Sequence, residues 1–278
     1  MIDIKQRDYR ETLSACRGAA DLVFFSPPYC DARNYGLNAN WTMDDYASLG
    51  DACFEAVRPG GNVIVNISAP VRDWGNGYTE RGLHPFRMLI DWHDRIGFQT
   101  PDWMAYGRDG VPGKWSLLFR SGWEPLWWFR RPGPDPVFRP ERLSVPATTA
   151  GMVRRRFSTG PDTWTSGSFQ VRPETRLPTS LWNYGNIDNF KEPTDGQHPA
   201  RWSIRLATDI VQCFSDPGSL TCDPFTGAGT SALAAAQGKR SFVGGDIGAR
   251  RDGKPWSDIA NELIHPVLQQ VEMFGGGL

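Results

Sequence analysis

No run of about eighteen apolar residues, the length a membrane helix needs, occurs in this 278-residue sequence, so a membrane span is not expected. The N-terminal segment has neither the basic start nor the apolar stretch of a signal peptide, which predicts an unprocessed, cytoplasmic protein. Paired cysteines are missing too. Cys16, Cys30, Cys53, Cys213 and Cys222 are odd in number and scattered without a C-x-x-C, as suits a reducing compartment. The histidines His84, His93, His198 and His265 show no ligand spacing, so no metal site is expected. Internal repeats are absent, and so is any surplus of positive charge: 30 Lys and Arg stand against 31 Asp and Glu, a net charge of -1. The global basicity of many nucleic-acid binders is therefore lacking.

What is present is an ordinary globular composition, 40% hydrophobic and 22% charged, enough for one large domain or a core domain carrying an insertion. Residues 2 to about 107 alternate strand and helix signals. Asp21 to Phe25 is an apolar strand ended by Pro27-Pro28. Met43 to Val57 has helical spacing with Thr42 as N-cap. Arg58-Pro59-Gly60-Gly61 reads as a stop before the strand Asn62 to Ile67, and Phe86, Leu89, Ile90, His93 and Ile96 share one face of a further helix closed by Gly97. Strands alternating with helices predict an α/β fold with a parallel sheet. Residues 131 to about 185 are rich in Pro, Gly, Ser, Thr and Arg, a texture expected of a functional segment rather than core. Order returns with a helix from about Pro199 to Phe214, the strand Leu220 to Asp223, an Ala-rich helix and the strand Ser241 to Asp246.

Two turns carry the chemistry. In the first, Asp223-Pro224-Phe225-Thr226-Gly227-Ala228-Gly229 stands between a strand and a helix, the context in which glycines let backbone approach a nucleotide and free N–H groups face it. Asp246, on the next strand, lies near where a ribose-binding carboxylate belongs. The missing Gly-Lys-Ser/Thr excludes a P-loop, while an NAD-type dinucleotide site stays open on this segment alone. A tight strand-to-helix turn with a capping Asp is the bland reading.

In the second, Ser26-Pro27-Pro28-Tyr29 follows a buried strand, where open α/β sheets place their sites. An exocyclic base amine is a poor nucleophile because its lone pair is delocalised into the ring. The Ser26 hydroxyl and Pro27 carbonyl suit acceptance of its two N–H bonds, Pro28 stiffens the turn, the proline carbonyls are free to face a base, and Tyr29 suits stacking on a flipped ring. A proline-rich turn over a packed aromatic is the alternative.

Together these motifs resemble those of the amino-group DNA methyltransferases. Ser26-Pro27-Pro28-Tyr29 is similar to the D/N/S-P-P-Y/F/W catalytic motif, and Asp223 to Gly229 to the D-x-F-x-G-x-G cofactor motif. The catalytic motif comes first, as in the β group. Gln6-Arg7-Asp8 resembles the G-D element with Arg7 in place of glycine. Arg33-Asn34-Tyr35-Gly36 resembles an R-D-Y-G extension, Arg58-Pro59-Gly60-Gly61 the P-G-G element, Glu124 to Arg130 the E-x-x-L-x-F-R strand, and His198-Pro199-Ala200 the H-P-A element.

The resemblance implies a Rossmann-like methyltransferase sheet, mostly parallel with one antiparallel strand and a circularly permuted motif order. Its catalytic half would be 1–130, a target-recognition insertion 131–185, and the cofactor-binding half 186–278. It implies S-adenosylmethionine as cofactor, with Asp223, Phe225, Gly227 and Gly229 at its methionine and sulfonium end, Asp246 at its ribose, Asp8 near its adenine, and His198 and Ala200 at its carboxylate. Asp8 as a plain helix N-cap and His198 as an ordinary histidine are the rivals. No metal or covalent enzyme intermediate is implied, and Cys30 lacks the Pro-Cys arrangement of C5-cytosine enzymes.

Arg154-Arg155-Arg156, with Phe157, Trp164 and Phe169 nearby, and Arg33 are the candidate contacts to double-stranded DNA, against the reading of a solvated face. Most of the 12 tryptophans read as packing, with Trp41 and Trp182 as candidates for a base pocket. Serine in the first catalytic position favours N4 of cytosine over N6 of adenine. An NAD-dependent oxidoreductase and a DNA-binding module without turnover are the more distant readings. The recognised DNA word, the oligomeric state and the existence of a cognate restriction endonuclease are not legible.

Overall fold

The computed structural model describes residues 1–29, 41–69, 71–73, 79–107, 119, 121–147, 150–160, 163–171, 173–184 and 203–274; within these, 72, 73, 79, 153–160, 163–171 and 270–274 are described through their backbone. In chain order the elements are β1 (Ile2–Lys5), α1 (Tyr9–Ser14), β2 (Ala20–Phe25), α2 (Met43–Ala56), β3 (Val57–Asn66), β4 (Val71–Asp73), β5 (Thr79–Arg81) and α3 (His84–Asp91), the last continued by a π-turn, Trp92–Ile96. Then come β6 (Trp103–Gly107), β7 (Trp123–Arg130), a 3-10 turn at Pro140–Leu143, β8 (Val145–Pro146), β9 (Val153–Gly160), β10 (Thr163–Val171), β11 (Thr175–Arg176) and β12 (Leu181–Asn183). The chain closes with α4 (Ile204–Phe214), β13 (Leu220–Asp223), α5 (Thr230–Gln237), β14 (Ser241–Gly245) and α6 (Trp256–Phe274).

Eight strands form one sheet in the order β1-β14-β13-β2-β3-β7-β6-β12. β7 runs against both neighbours, and every other pairing is parallel. The fold is thus the expected mostly parallel sheet with one reversed strand. Its strands are apolar on both faces because both faces are covered. On β2, Val23 and Phe25 join the layer of α1, α2 and α3, whereas Leu22 and Phe24 join the layer of α4, α5 and α6. Removing such side chains from water contributes roughly 1.5–3 kcal/mol each.

The local signals explain most element ends. Thr42 and Asp45 form a capping box at the start of α2, and Ser203 caps α4, which begins at Ile204 rather than near Pro199. Gly97 closes the π-turn in the left-handed region. Two expectations need correction. Arg58-Pro59-Gly60-Gly61 is not a loop before β3 but part of it: Gly60 takes a φ of +81°, and the register against β2 slips between Ala20 and Leu22, so the strand bulges there. On α3 the buried stripe is His84, Pro85 and Met88, with Trp92 after it, while Phe86 and Ile90 are exposed; the helix starts earlier than its periodicity indicated.

The segment from 131 is bound to the core at its start and end. Buried Asn62 donates to the carbonyls of Val137 and Phe214 and accepts from the Trp128 indole. Arg131 caps the C-terminus of α2 through Phe54 O and Val57 O, and Arg139 and Arg142 both hold Asp216. Arg130 lies over the Trp128 ring. Arg130, Arg131, Arg139 and Arg142 are therefore structural. β12 pairs with β6 in the main sheet, inside the span read as insertion, and Trp182 on it is buried near Phe214. Between these anchors β9 and β10 form a separate two-stranded ribbon whose register sets Arg154 opposite Gln170, Arg155 opposite Phe169 and Arg156 opposite Ser168. Among the described residues no helix is long and apolar enough to cross a membrane.

Candidate active site

β13 and β2 are hydrogen-bonded neighbours, with Thr221 opposite Leu22 and Cys222 opposite Val23. Their carboxyl ends therefore bring Asp223 to Gly229 beside Ser26 to Tyr29, although about two hundred residues separate the two motifs. Phe225 of one turn packs on Phe25 at the end of the other strand, ring centroids 5.5 Å apart. β14 and β1 continue the row, so Asp246 and Asp8 follow their own strands at the same edge of the sheet. This is the carboxyl-end crevice where doubly wound sheets hold ligands.

The glycine turn is organised around two carboxylates. Asp223 is 5% exposed; it accepts from the Phe225 N–H at 2.8 Å and from the Ser231 hydroxyl at 2.5 Å, while its own carbonyl takes the Thr226 hydroxyl. Asp246 accepts from Gly227 N at 2.9 Å and from Gly248 N at 2.7 Å. Burial raises both carboxyls above the usual range, Asp223 to about 7, against the pull of these donors. Each would ionise more readily beside a bound cation. Gly229 begins α5 at a φ of +96°, and a Cβ there would lie 2.8 Å from the Cβ of Ala260. Only glycine lets α6 pack this close.

Asp8 caps α1, accepting from Glu11 N at 3.0 Å, so the N-cap reading of this residue is realised. Arg7, standing where the family pattern has glycine, turns its guanidinium back to Asp3 and the Gly244 carbonyl. Tyr9, Trp41 and Phe225 pack together, with Trp41 edge-on to Phe225 at 5.5 Å and against Tyr46 at 5.4 Å. Of the two pocket candidates, Trp41 therefore lies at the motifs and Trp182 does not, since β3, β7 and β6 separate its strand from β2.

At the Ser26 to Tyr29 turn, Ser26 Oγ and Tyr29 OH are 3.0 Å apart. The proline carbonyls are not both free: Pro28 O accepts the Tyr46 hydroxyl at 2.8 Å, so only that of Pro27 is a candidate to face a base. Tyr46 and Ser231 are the site residues that sequence reasoning missed. Periodicity marked Tyr46 as core, and nothing in spacing tells that its hydroxyl reaches back to residue 28. Arg33, His198 and Ala200 lie outside the described residues, and the side chains of Arg154, Arg155 and Arg156 likewise.

A family model described as DNA methylase matches residues 20–251. The chain is 26% identical to the orphan methyltransferase M.BamHII of Bacillus amyloliquefaciens, across 96% of this chain and 97% of that one. It is 23% identical to the DNA adenine methyltransferase YhdJ of Escherichia coli K12, across 91% and 81%. Among solved structures, the cytosine-N4-specific PvuII DNA methyltransferase superposes with a TM-score of 0.68 at 17% identity, covering 97% of this chain and 92% of that one. A DNA modification methylase of Thermus thermophilus, complexed with S-adenosyl-L-methionine and itself named only by inference, superposes with a TM-score of 0.61 at 17% identity, covering 96% of each. At such identities the superpositions speak for the fold alone.

Proposed function

The chain belongs to the S-adenosylmethionine-dependent N6/N4 DNA methylase family, and we propose that within it this protein methylates the exocyclic N4 of a cytosine flipped out of duplex DNA. Membership removes the dinucleotide oxidoreductase reading. The observation that carries the proposal is the adjacency of the two turns at the ends of β2 and β13.

When bound, S-adenosylmethionine would supply a sulfonium methyl, the N–C bond forming as the C–S bond breaks with its electrons on sulfur and the amine's surplus proton passing to water. The protein's part is orientation, which can supply much of the rate. Ser26 Oγ and the Pro27 carbonyl accept the amine's N–H bonds and draw its lone pair out of conjugation, while Tyr29, tied to Ser26, offers a ring to the flipped base. Asp223, Phe225, Gly227 and Gly229 would hold the methionine and sulfonium end, Asp246 the ribose hydroxyls, and Asp8, while capping α1, would lie on the adenine side. The buried Asp223 carboxyl and the tight Gly227–Gly229 turn fit a cationic ligand held close.

Serine at position 26 favours cytosine; the relative named as an adenine methyltransferase keeps N6 of adenine as the second reading. Incubating the protein and cofactor with unmodified DNA, then digesting to nucleosides for mass spectrometry, should yield N4-methylcytosine. N6-methyladenine alone would select the second reading, and neither product would refute both.

The β9–β10 ribbon belongs to the target-recognition region on this reading, since a two-stranded ribbon fits the major groove. Replacing Arg154, Arg155 and Arg156 together by alanine should weaken DNA binding and reduce the slope of log affinity against log salt by about 2–3, at roughly 0.9 per phosphate contact. Cofactor affinity should be unaffected. An unaltered salt slope would count against the ribbon as a DNA contact. The reading places the protein with its DNA in the cytoplasm, with a cognate restriction endonuclease as a candidate partner, in keeping with the type II methyltransferases among its relatives.

A further inference from the structure

We infer that Tyr46 is the positioning residue of the catalytic turn: its hydroxyl, by holding the Pro28 carbonyl, sets the peptide that joins Ser26-Pro27-Pro28 to Tyr29. The inference rests on the assignment of that turn to methyl transfer.

Tyr46 is fully buried in the middle of an apolar helix face. A phenol in that place, where phenylalanine would pack equally well, needs an acceptor, because a buried hydroxyl left unpaired forfeits its bonds to water and gains nothing in return. The acceptor is Pro28 O at 2.8 Å, eighteen residues away in sequence. The turn is receptive to this single tether. Both proline rings lock φ, so the loose dihedrals are the two ψ angles, and fixing the Pro28 carbonyl fixes one of them. Tyr29 follows directly, with its hydroxyl on Ser26 Oγ. One hydrogen bond therefore bears on the direction of the Tyr29 ring, the Ser26 hydroxyl and the Pro27 carbonyl together.

Tyr46 is itself held against movement. Its ring lies parallel to that of His84, 4° between planes and 5.8 Å between centroids. His84 Nε2 meets Ser68 O at 3.1 Å, just past β3. The Trp92 indole donates to the Tyr46 carbonyl at 2.9 Å. The capping box at the start of the helix ties Thr42 to Asp45, the residue before Tyr46. A brace thus runs from the end of β3 through His84 and Tyr46 to the end of β2. The two strands are neighbours, so it spans the floor of the proposed base site.

The test compares Tyr46→Phe with Leu49→Ala, a buried residue of the same helix with no polar link to the turn. Single-turnover transfer of tritium from labelled S-adenosylmethionine to DNA from a methylation-deficient bacterium is followed well below either melting temperature. Tyr46→Phe should lower the rate about tenfold, within the range that slight misplacement of reacting groups produces, while Kd for the cofactor and for DNA stays at the wild-type value. Leu49→Ala should lose at least as much thermal stability and keep the wild-type rate. A wild-type rate in Tyr46→Phe, or equal slowing in Leu49→Ala, overturns the inference. Absence of any transfer by the wild-type protein is a different result, refuting the assignment of the turn and the inference with it.

Discussion

Alanine at position 26 should slow methyl transfer about 10²-fold, the loss typical when one preorganised hydrogen-bonding group is removed from a reaction centre. Ser26 Oγ is fixed by its contact with Tyr29 OH and sits at the end of a strand whose residues Leu22 to Phe25 are fully buried, so the hydroxyl occupies one place rather than sampling several. The substitution removes an acceptor without opening a cavity in the core. Cofactor binding, assigned to the turn after β13, should be retained, and so should DNA binding. Single-turnover rates and separate binding titrations check this. If Ser26→Ala turned over like the wild type while still binding DNA, the assignment of methyl transfer to this turn would fail; DNA binding with no turnover by either form would support a DNA-binding module instead.

The second large effect is on pH. Burial pushes Asp223 up to about 7 in the unliganded protein, whereas in an unfolded chain it would titrate near the ordinary Asp value of about 3.9. A carboxyl raised in this way favours the fold fully below the unfolded pKa, and that contribution is lost as pH rises through about 7. By pH 8 the cost of ionising it in place is on the order of 4 kcal/mol, and Asp246, raised by the same burial, adds in the same direction. The unliganded protein should therefore melt at a lower temperature at pH 8 than at pH 6, with a smaller difference in Asp223→Asn.

Binding of the cation should run the other way. Only the ionised carboxylate attracts the sulfonium, so affinity for S-adenosylmethionine should be about tenfold weaker at pH 6 than at pH 8, as linkage to a group near 7 requires. S-adenosylhomocysteine, which lacks the positive sulfur, should show a shallower profile. Calorimetric titration of both ligands across this range decides it. Equal pH dependence for the two ligands would detach Asp223 from the sulfonium end of the site.

Much of the fold was readable because its elements announce themselves locally. Asp21 to Phe25 is an unbroken apolar run stopped by two prolines, Thr42 and Asp45 make a capping box, and Asp223 to Gly229 stands between strand and helix signals. The misreadings came where tertiary packing overrode the local signal. Gly60 looked like a stop and became a bulge because Arg131 and Gly61 pair beside it. Phe86 and Ile90 looked like the inner face of α3, but the helix begins at His84, and its inner stripe follows His84, Met88 and Trp92 instead. Arg130, Arg131, Arg139 and Arg142 lie in or beside a stretch whose texture read as functional rather than core, yet they are committed to a ring face, a helix end and Asp216.

By itself the sequence determined the two motif turns at strand ends and their order along the chain, because turn chemistry and strand ends are dictated by neighbours a few residues away. Only the tertiary structure decided that the two turns lie on adjacent strands, that a tyrosine of α2 holds the second proline carbonyl, and that burial pushes the Asp223 carboxyl up to about 7. Those facts depend on strand order and on exclusion of water, which arise from contacts between segments far apart in the chain and leave no mark in the spacing of either one.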